Sequence, residues 1–185
     1  VLVTALEKGL GDRIELVHCD PHAGDPQLLA ANPMSRVPTL VLEDGSVLFD
    51  SPVICEWLDT QTEQPRLIPI GGPERWAVLR AQALADGMLD DAYLNVMESR
   101  RPEAQRSPET MAARADALLR SVPLMEAGMS ELVGPLNLAQ IAVACALGYL
   151  DFRLPELDWR AGHAGLDAWF DGFARRPSMF RSRHD

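Results

Sequence analysis

The sequence has no run of about 18 apolar residues, so no membrane-spanning helix is expected. It has no Cys-x-x-Cys pair. Its three cysteines, Cys19, Cys55 and Cys145, are far apart and odd in number, which argues against a disulfide framework or a zinc site and for a reducing cytoplasm. Positive charge is scarce. Seventeen Lys and Arg face 27 Asp and Glu, and the net charge of −10 repels nucleic acid and anionic lipid, so neither is expected as a partner. The opening VLVTALEKGLGDR lacks the basic segment and small-residue cleavage site of a signal peptide. The histidines, His18, His22, His163 and His184, show no triad or metal-ligand spacing; they receive no site role, and no metal is expected. Neither an internal repeat nor a low-complexity tract is present.

What is there reads as an α/β half followed by an all-helical half. The 185 residues suffice for one large domain or two small ones, and 47% hydrophobic with 24% charged residues is ordinary for a globular protein. Residues 1–8 carry apolar side chains at helical spacing, with Gly9 or Gly11 to end the helix. Residues 14–19 are β-rich and read as a strand. Residues 25–31 read as a short helix stopped by Asn32-Pro33. Residues 39–42 and 47–49 read as a hairpin around Asp44-Gly45. Ser51 then caps a helix with Pro52 at its first position and Val53, Ile54, Trp57 and Leu58 as its apolar set. A turn-rich stretch follows, pinned by Leu67 and Ile68. After Pro73 only helices are expected. The first is long, with Trp76, Leu79 and Ala83 on its apolar face and Pro102 as its stop. Others cover 108–125, a stretch from Asn137 onward, and 166–174, which ends before Pro177.

The helix after Asn137 is the most fully specified element. Residues 138–150 contain no charge, which predicts burial on every side. Asn137 and Gln140 fit a capping box, and Leu136 and Ile141 stand at staple positions. The signal is structural and implies no catalysis.

A ligand signal lies in NPMSRVPTLVLEDGSVLFDSPVICE, residues 32–56. Pro38 at the first residue of a strand avoids breaking a ladder bond. A cis Val37-Pro38 bond would turn the Val37 backbone toward an open groove. Ser51 at a helix N-terminus offers a hydroxyl and free amides to a carboxylate, and Asp50 can hold an ammonium, so a zwitterionic amino-acid group would suit both. The same residues also admit a plainer reading, as a turn and a cap.

The pattern N-P-x-x-x-V-P-x-L, a D-G hairpin, then F-D-S-P-x-I-x-x-W-L resembles the thioredoxin-like domain of glutathione S-transferases. G-P-x-N-L-A-Q-I-A-V-A-C-A-L-G-Y-L-D-F-R resembles that family's helical-domain capping-box segment, and A-D-G-M-L-D-D-A its first long helix. The resemblance is to a bacterial, cytosolic branch and covers nearly the whole chain. It implies a thioredoxin-like glutathione-binding domain over 1–60, a linker over 61–72 and an all-helical domain over 73–185. It also implies a homodimeric cytoplasmic transferase that detoxifies small molecules. Glutathione is the co-substrate, and its thiolate attacks an electrophile in a cleft between the domains.

By the same resemblance, Val37 pairs through its backbone with the cysteinyl part of glutathione and Pro38 is the cis proline. Ser51 takes the γ-glutamyl carboxylate, Asp50 the γ-glutamyl ammonium, and Arg36 the glycine carboxylate, with a solvated surface arginine as the alternative for the last. Ser35 stands where the family usually has Gly. Met88, Met97 and Tyr93 are candidates to line the electrophile site, with core packing the plainer reading, and the cysteines are expected to be inert. Val1 falls inside what would be the family's first helix. The first strand, and the Ser, Cys or Tyr that stabilises the thiolate, are therefore expected about a dozen or more residues upstream of Val1. Two other readings stay open: a non-catalytic scaffold on the same fold, and a glutathione-dependent thiol transferase or reductase.

Overall fold

The structure is a computed structural model that describes residues 1–183; His184 lies outside them. The chain forms two compact units, Val1–Leu67 and a second beginning at Ile68. Leu67 and Ile68 are both buried.

In the first unit, α1 (Leu2–Glu7) packs on α3 (Ser51–Thr60), and α2 (Pro26–Ala31) precedes a hairpin of β1 (Leu40–Val41) and β2 (Val47–Leu48). The strands are antiparallel, with Leu40 opposite Leu48 and Val41 opposite Val47. Their turn forms as the Asp-Gly signal predicts. Asp44 Oδ1 accepts from the Ser46 amide and hydroxyl at 2.9 and 2.6 Å, and Gly45 takes φ +82°, a conformation that costs only glycine nothing. Ala5, Leu10, Ile54 and Leu58 form the core, with Val1, Ile14, Leu40, Leu48 and Trp57 against it. An opening of ≈350 Å³ runs beside Leu10, Ile14, Leu40, Trp57 and Leu58. Beneath α1 lies a buried ion pair. Lys8 Nζ reaches Asp59 Oδ1 at 3.0 Å and the carbonyls of Asp59, Thr62 and Pro65 at 2.9, 2.9 and 2.6 Å.

Three expectations for this unit are corrected. Residues 14–19 are not a strand: β-rich residues become one only when a neighbour completes the ladder, and among the described residues none does. Leu16 and Val17 are 55% and 70% exposed there. The N-cap of α3 is Asp50, not Ser51. Asp50 keeps an extended backbone and its carbonyl accepts from the Ile54 amide at 3.1 Å, while Ser51 is already helical and makes no side-chain cap bond. Likewise Asp25 is the cap of α2 rather than its first residue, accepting from the Gln27 and Leu28 amides at 2.8 and 3.1 Å.

The regular structure of the second unit's described residues is all helical: α4 (Gly72–Ser99), α5 (Pro108–Ala127), α6 (Leu138–Arg153), α7 (Ala164–Phe173) and α8 (Pro177–Arg181), with short 3-10 turns at Glu103–Gln105 and Met129–Glu131. The capping box of α6 is present: the Gln140 amide donates to Asn137 Oδ1 at 3.1 Å, and the Asn137 amide to Gln140 Oε1 at 3.3 Å. Every residue of α6 from Leu138 to Ala144 is buried, as its lack of charge predicts.

One expectation fails in this unit. Trp76 is 68% exposed and Ala83 is also exposed. The buried stripe of α4 is instead Val78, Gln82, Ala85, Met88, Ala92, Asn95 and Val96. It keeps helical spacing and mixes Val78, Met88 and Val96 with small and polar residues, so the face that carries Trp76 is not the covered one. α7 ends before Pro177, as expected, and Pro177 occupies the first turn of α8, where its missing N–H has no cost. Met88 is core, which agrees with its packing reading.

Candidate functional site

Pro38 and Asp50 each lie two residues beyond the Leu40–Leu48 pair, so the antiparallel register puts both at one end of the hairpin. Ser51 begins α3 at that same end. The Val37-Pro38 bond is cis, as is Phe49-Asp50. The hairpin therefore brings Arg36, Val37, Pro38, Asp50 and Ser51 to one place, although up to fifteen residues separate them in sequence.

The polar groups gathered there are open. Val37 is 54% exposed, and among the described residues neither its N–H nor its carbonyl is hydrogen bonded. The Asp50 carboxylate, the Ser51 hydroxyl and the Arg36 guanidinium likewise have no partner among the described residues. At the start of α3 the amides of Ser51 and Val53 are unpaired, the first intrahelical donor being Ile54. These amides carry the positive end of the helix dipole. Asp50, next to them, is a negative group with four or so acceptor positions. A carboxylate and an ammonium a few ångströms apart on one ligand match this pair in sign. The open N–H and carbonyl of Val37 match a peptide strand, since residues facing each other in an antiparallel pair exchange both bonds. Arg36 adds a second cationic group on the same loop.

Several residues that shape the site were not anticipated. Asn32 is buried and holds the loop that carries Arg36 and Val37. Ser35 adopts φ +49°, a region disfavoured for side-chain-bearing residues, and its hydroxyl donates to the Pro21 carbonyl at 2.9 Å. The glycine usual at this position in the resembling family was the available signal. Among the described residues no group of three or more His, Cys, Asp or Glu could hold a metal, and no helix is long and apolar enough to cross a membrane.

Residues 1–61 match the family model for the glutathione S-transferase N-terminal domain, and residues 108–172 that for the glutathione S-transferase C-terminal domain. The chain belongs to the glutathione S-transferase family. It has the two parts that family membership implies, a thioredoxin-like N-terminal domain and a helical C-terminal domain. It is 32% identical over 183 residues to the uncharacterized GST-like protein YibF of Escherichia coli K12, a match that covers 97% of this chain and 90% of that one. A crystal structure of a glutathione transferase family member from Pseudomonas fluorescens Pf-5, with bound glutathione, superposes with a TM-score of 0.95 at 38% identity, covering 100% of this chain and 92% of the other. A stringent starvation protein A homolog of Coxiella burnetii is 26% identical over 157 residues, covering 85% of this chain and 70% of that one.

Proposed function

We propose that this protein is a cytoplasmic, homodimeric glutathione transferase that binds glutathione at the end of the β1–β2 hairpin and presents its thiolate to a small electrophile. The observation that carries the reading is the convergence of open polar groups at that hairpin end. Ser51 and the α3 amides take the γ-glutamyl carboxylate, Asp50 the γ-glutamyl ammonium, and Val37 the cysteinyl backbone. Arg36 reaches the glycine carboxylate. The relative from Pseudomonas fluorescens, solved with glutathione bound, supports the choice of ligand.

Chemically, the site holds the tripeptide and leaves its sulfur at the mouth of the groove. The thiol proton passes to solvent water, the thiolate sulfur bonds to the electrophilic carbon, and the electron pair of the broken bond leaves with the displaced group. The thiolate-stabilising role is assigned to no residue of the chain.

Calorimetric titration of glutathione into Ser51→Ala and Asp50→Asn tests the site. A hydrogen bond to a charged carboxylate contributes about 1.5–3 kcal/mol, so Ser51→Ala weakens binding roughly ten- to a hundredfold. Asp50→Asn weakens it as well by leaving the ammonium without a counter-charge. Because Ser51 makes no cap bond, its replacement leaves the melting temperature nearly unchanged. If the parent binds glutathione and both variants bind it equally well, the residues are only a turn and a helix start. A single monomer mass at all concentrations in sedimentation would remove the dimer.

The relative from Coxiella burnetii is named for stringent starvation rather than for a transferase activity, and a second reading is a scaffold on this fold without conjugating activity. Parent protein that binds glutathione but conjugates none of a panel of aryl halides, epoxides and enones favours it. Reduction of a mixed glutathione disulfide would point instead to thiol transfer.

A further inference from the structure

We infer that Asn32 is a positioning residue that aims the Val37 N–H at the ligand, an inference that rests on the glutathione reading above. Asn32 ends α2, with its amide donating to the Leu28 carbonyl at 2.7 Å, and it is only 2% exposed. A buried carboxamide needs partners for its oxygen and both its N–H groups. Its Oδ1 accepts from the Met34 amide at 3.0 Å. Its Nδ2 donates to the Arg36 carbonyl at 3.2 Å and to Thr39 Oγ1 at 3.1 Å. Thr39 Oγ1 in turn donates to the same Arg36 carbonyl at 2.7 Å.

The Arg36 carbonyl belongs to the peptide unit whose N–H is that of Val37. That unit is trans and planar, so its carbonyl and its N–H point in opposite directions. Two donors, Asn32 Nδ2 and the Thr39 hydroxyl, hold the carbonyl toward the protein. The Val37 N–H is therefore turned away from them, and among the described residues it meets no acceptor. Asn32 and Thr39 bracket the Val37-Pro38 step from both sides, one partner before it and one after. Beyond holding the loop, the ring sets the orientation of one N–H.

The test pairs a change in the protein with a change in the ligand at the bond in question. In an ester analogue of glutathione, oxygen replaces the glycine nitrogen. Shape and charges are kept, while the cysteinyl carbonyl that would accept from Val37 becomes a poorer acceptor. By calorimetry the parent should prefer glutathione to this ester by roughly three- to tenfold, the scale of one hydrogen bond. Asn32→Ala and Thr39→Val should each bind glutathione more weakly, and their preference should shrink to below about twofold, because the N–H is no longer aimed. Thr39→Val keeps a β-branched side chain next to β1, so it carries the test even if Asn32→Ala fails to fold. Folded variants that keep the full preference overturn the inference alone, including the case in which they lose affinity for both ligands equally, as a merely structural role predicts. A parent that binds no glutathione overturns the functional reading and this inference with it.

Discussion

Replacing Lys8 with methionine keeps most of the side chain's apolar stem and removes a cation that holds four acceptors together. Lys8 Nζ lies 3.0 Å from Asp59 Oδ1 and within 2.6–2.9 Å of the carbonyls of Pro65, Thr62 and Asp59, with the two side chains 0% and 5% exposed. An ammonium has three protons, so one is shared between two of these acceptors. After substitution the Asp59 carboxylate stays buried, with the Leu67 amide still donating to it at 2.7 Å, but without its counter-ion. Removing one partner of such a pair costs about 3–5 kcal/mol, a large share of the ~5–15 kcal/mol by which a folded domain is stable. The assay is urea unfolding followed by far-UV circular dichroism and by the fluorescence of Trp57, the single tryptophan of the first unit. With a urea slope of about 2 kcal/mol/M, a loss of ~4 kcal/mol lowers the midpoint by ~2 M. The double replacement Lys8→Met with Asp59→Leu should lose less than Lys8→Met alone, since it removes the uncompensated charge. A single substitution within about 1 kcal/mol of the parent, or a double one that is worse than the single, would refute the reasoning.

Two other perturbations follow from the second unit. Asn137→Ala should cost about 1–2 kcal/mol, the upper part of the range for a lost cap, because the helix it starts is buried; an unchanged melting temperature would place the start of α6 elsewhere. Glu126 lies 2.6 Å from His163 Nδ1 and accepts from the Gly165 and Leu166 amides at 3.2 and 3.4 Å. The hydrogen bond from His163, foremost, holds its carboxyl below the ordinary glutamate value of 4.5. The folded state therefore binds this proton less readily than the unfolded state. The contribution is full above the ordinary value and is lost as pH falls through the lowered one. Glu126→Gln should flatten the fall of melting temperature below about pH 5; an unaltered acid limb would show that the pair contributes nothing.

The sequence was most legible where the determining physics is local. The capping box of α6, the Asp-Gly turn, and the placement of Asp50 and Ser51 at a helix start all depend on residues a few positions apart. Where partners are distant, it was silent. Nothing about Lys8 announces Asp59, fifty-one positions on, nor does Glu126 announce His163. Residues 14–19 have the composition of a strand, but strand formation is decided by a neighbour rather than by composition. Trp76 misled because the covering of α4 is set by which side its neighbours approach, and they approach a stripe that includes Gln82 and Asn95. In the site, the five residues singled out by type and position lie together at the hairpin end. The role of Asn32 was hidden because its motif, Asn followed by proline, already had an adequate local explanation as a helix stop.

The uncharged length of α6 also bears on how the chain is made. During synthesis a segment such as Leu138–Leu150 is the stickiest surface the protein ever offers to its surroundings. Its heaviest packing partner, α4, precedes it in the chain, and so does α5, which packs on α4 in turn. About forty residues separate the end of α4 from the start of α6, or ~2–8 s of elongation at 5–20 residues per second. That interval is far longer than a helix needs to form. The bed is laid before its occupant emerges from the ribosome, so the apolar helix meets its main partner at once and waits only for α7, which also packs on it, to be translated.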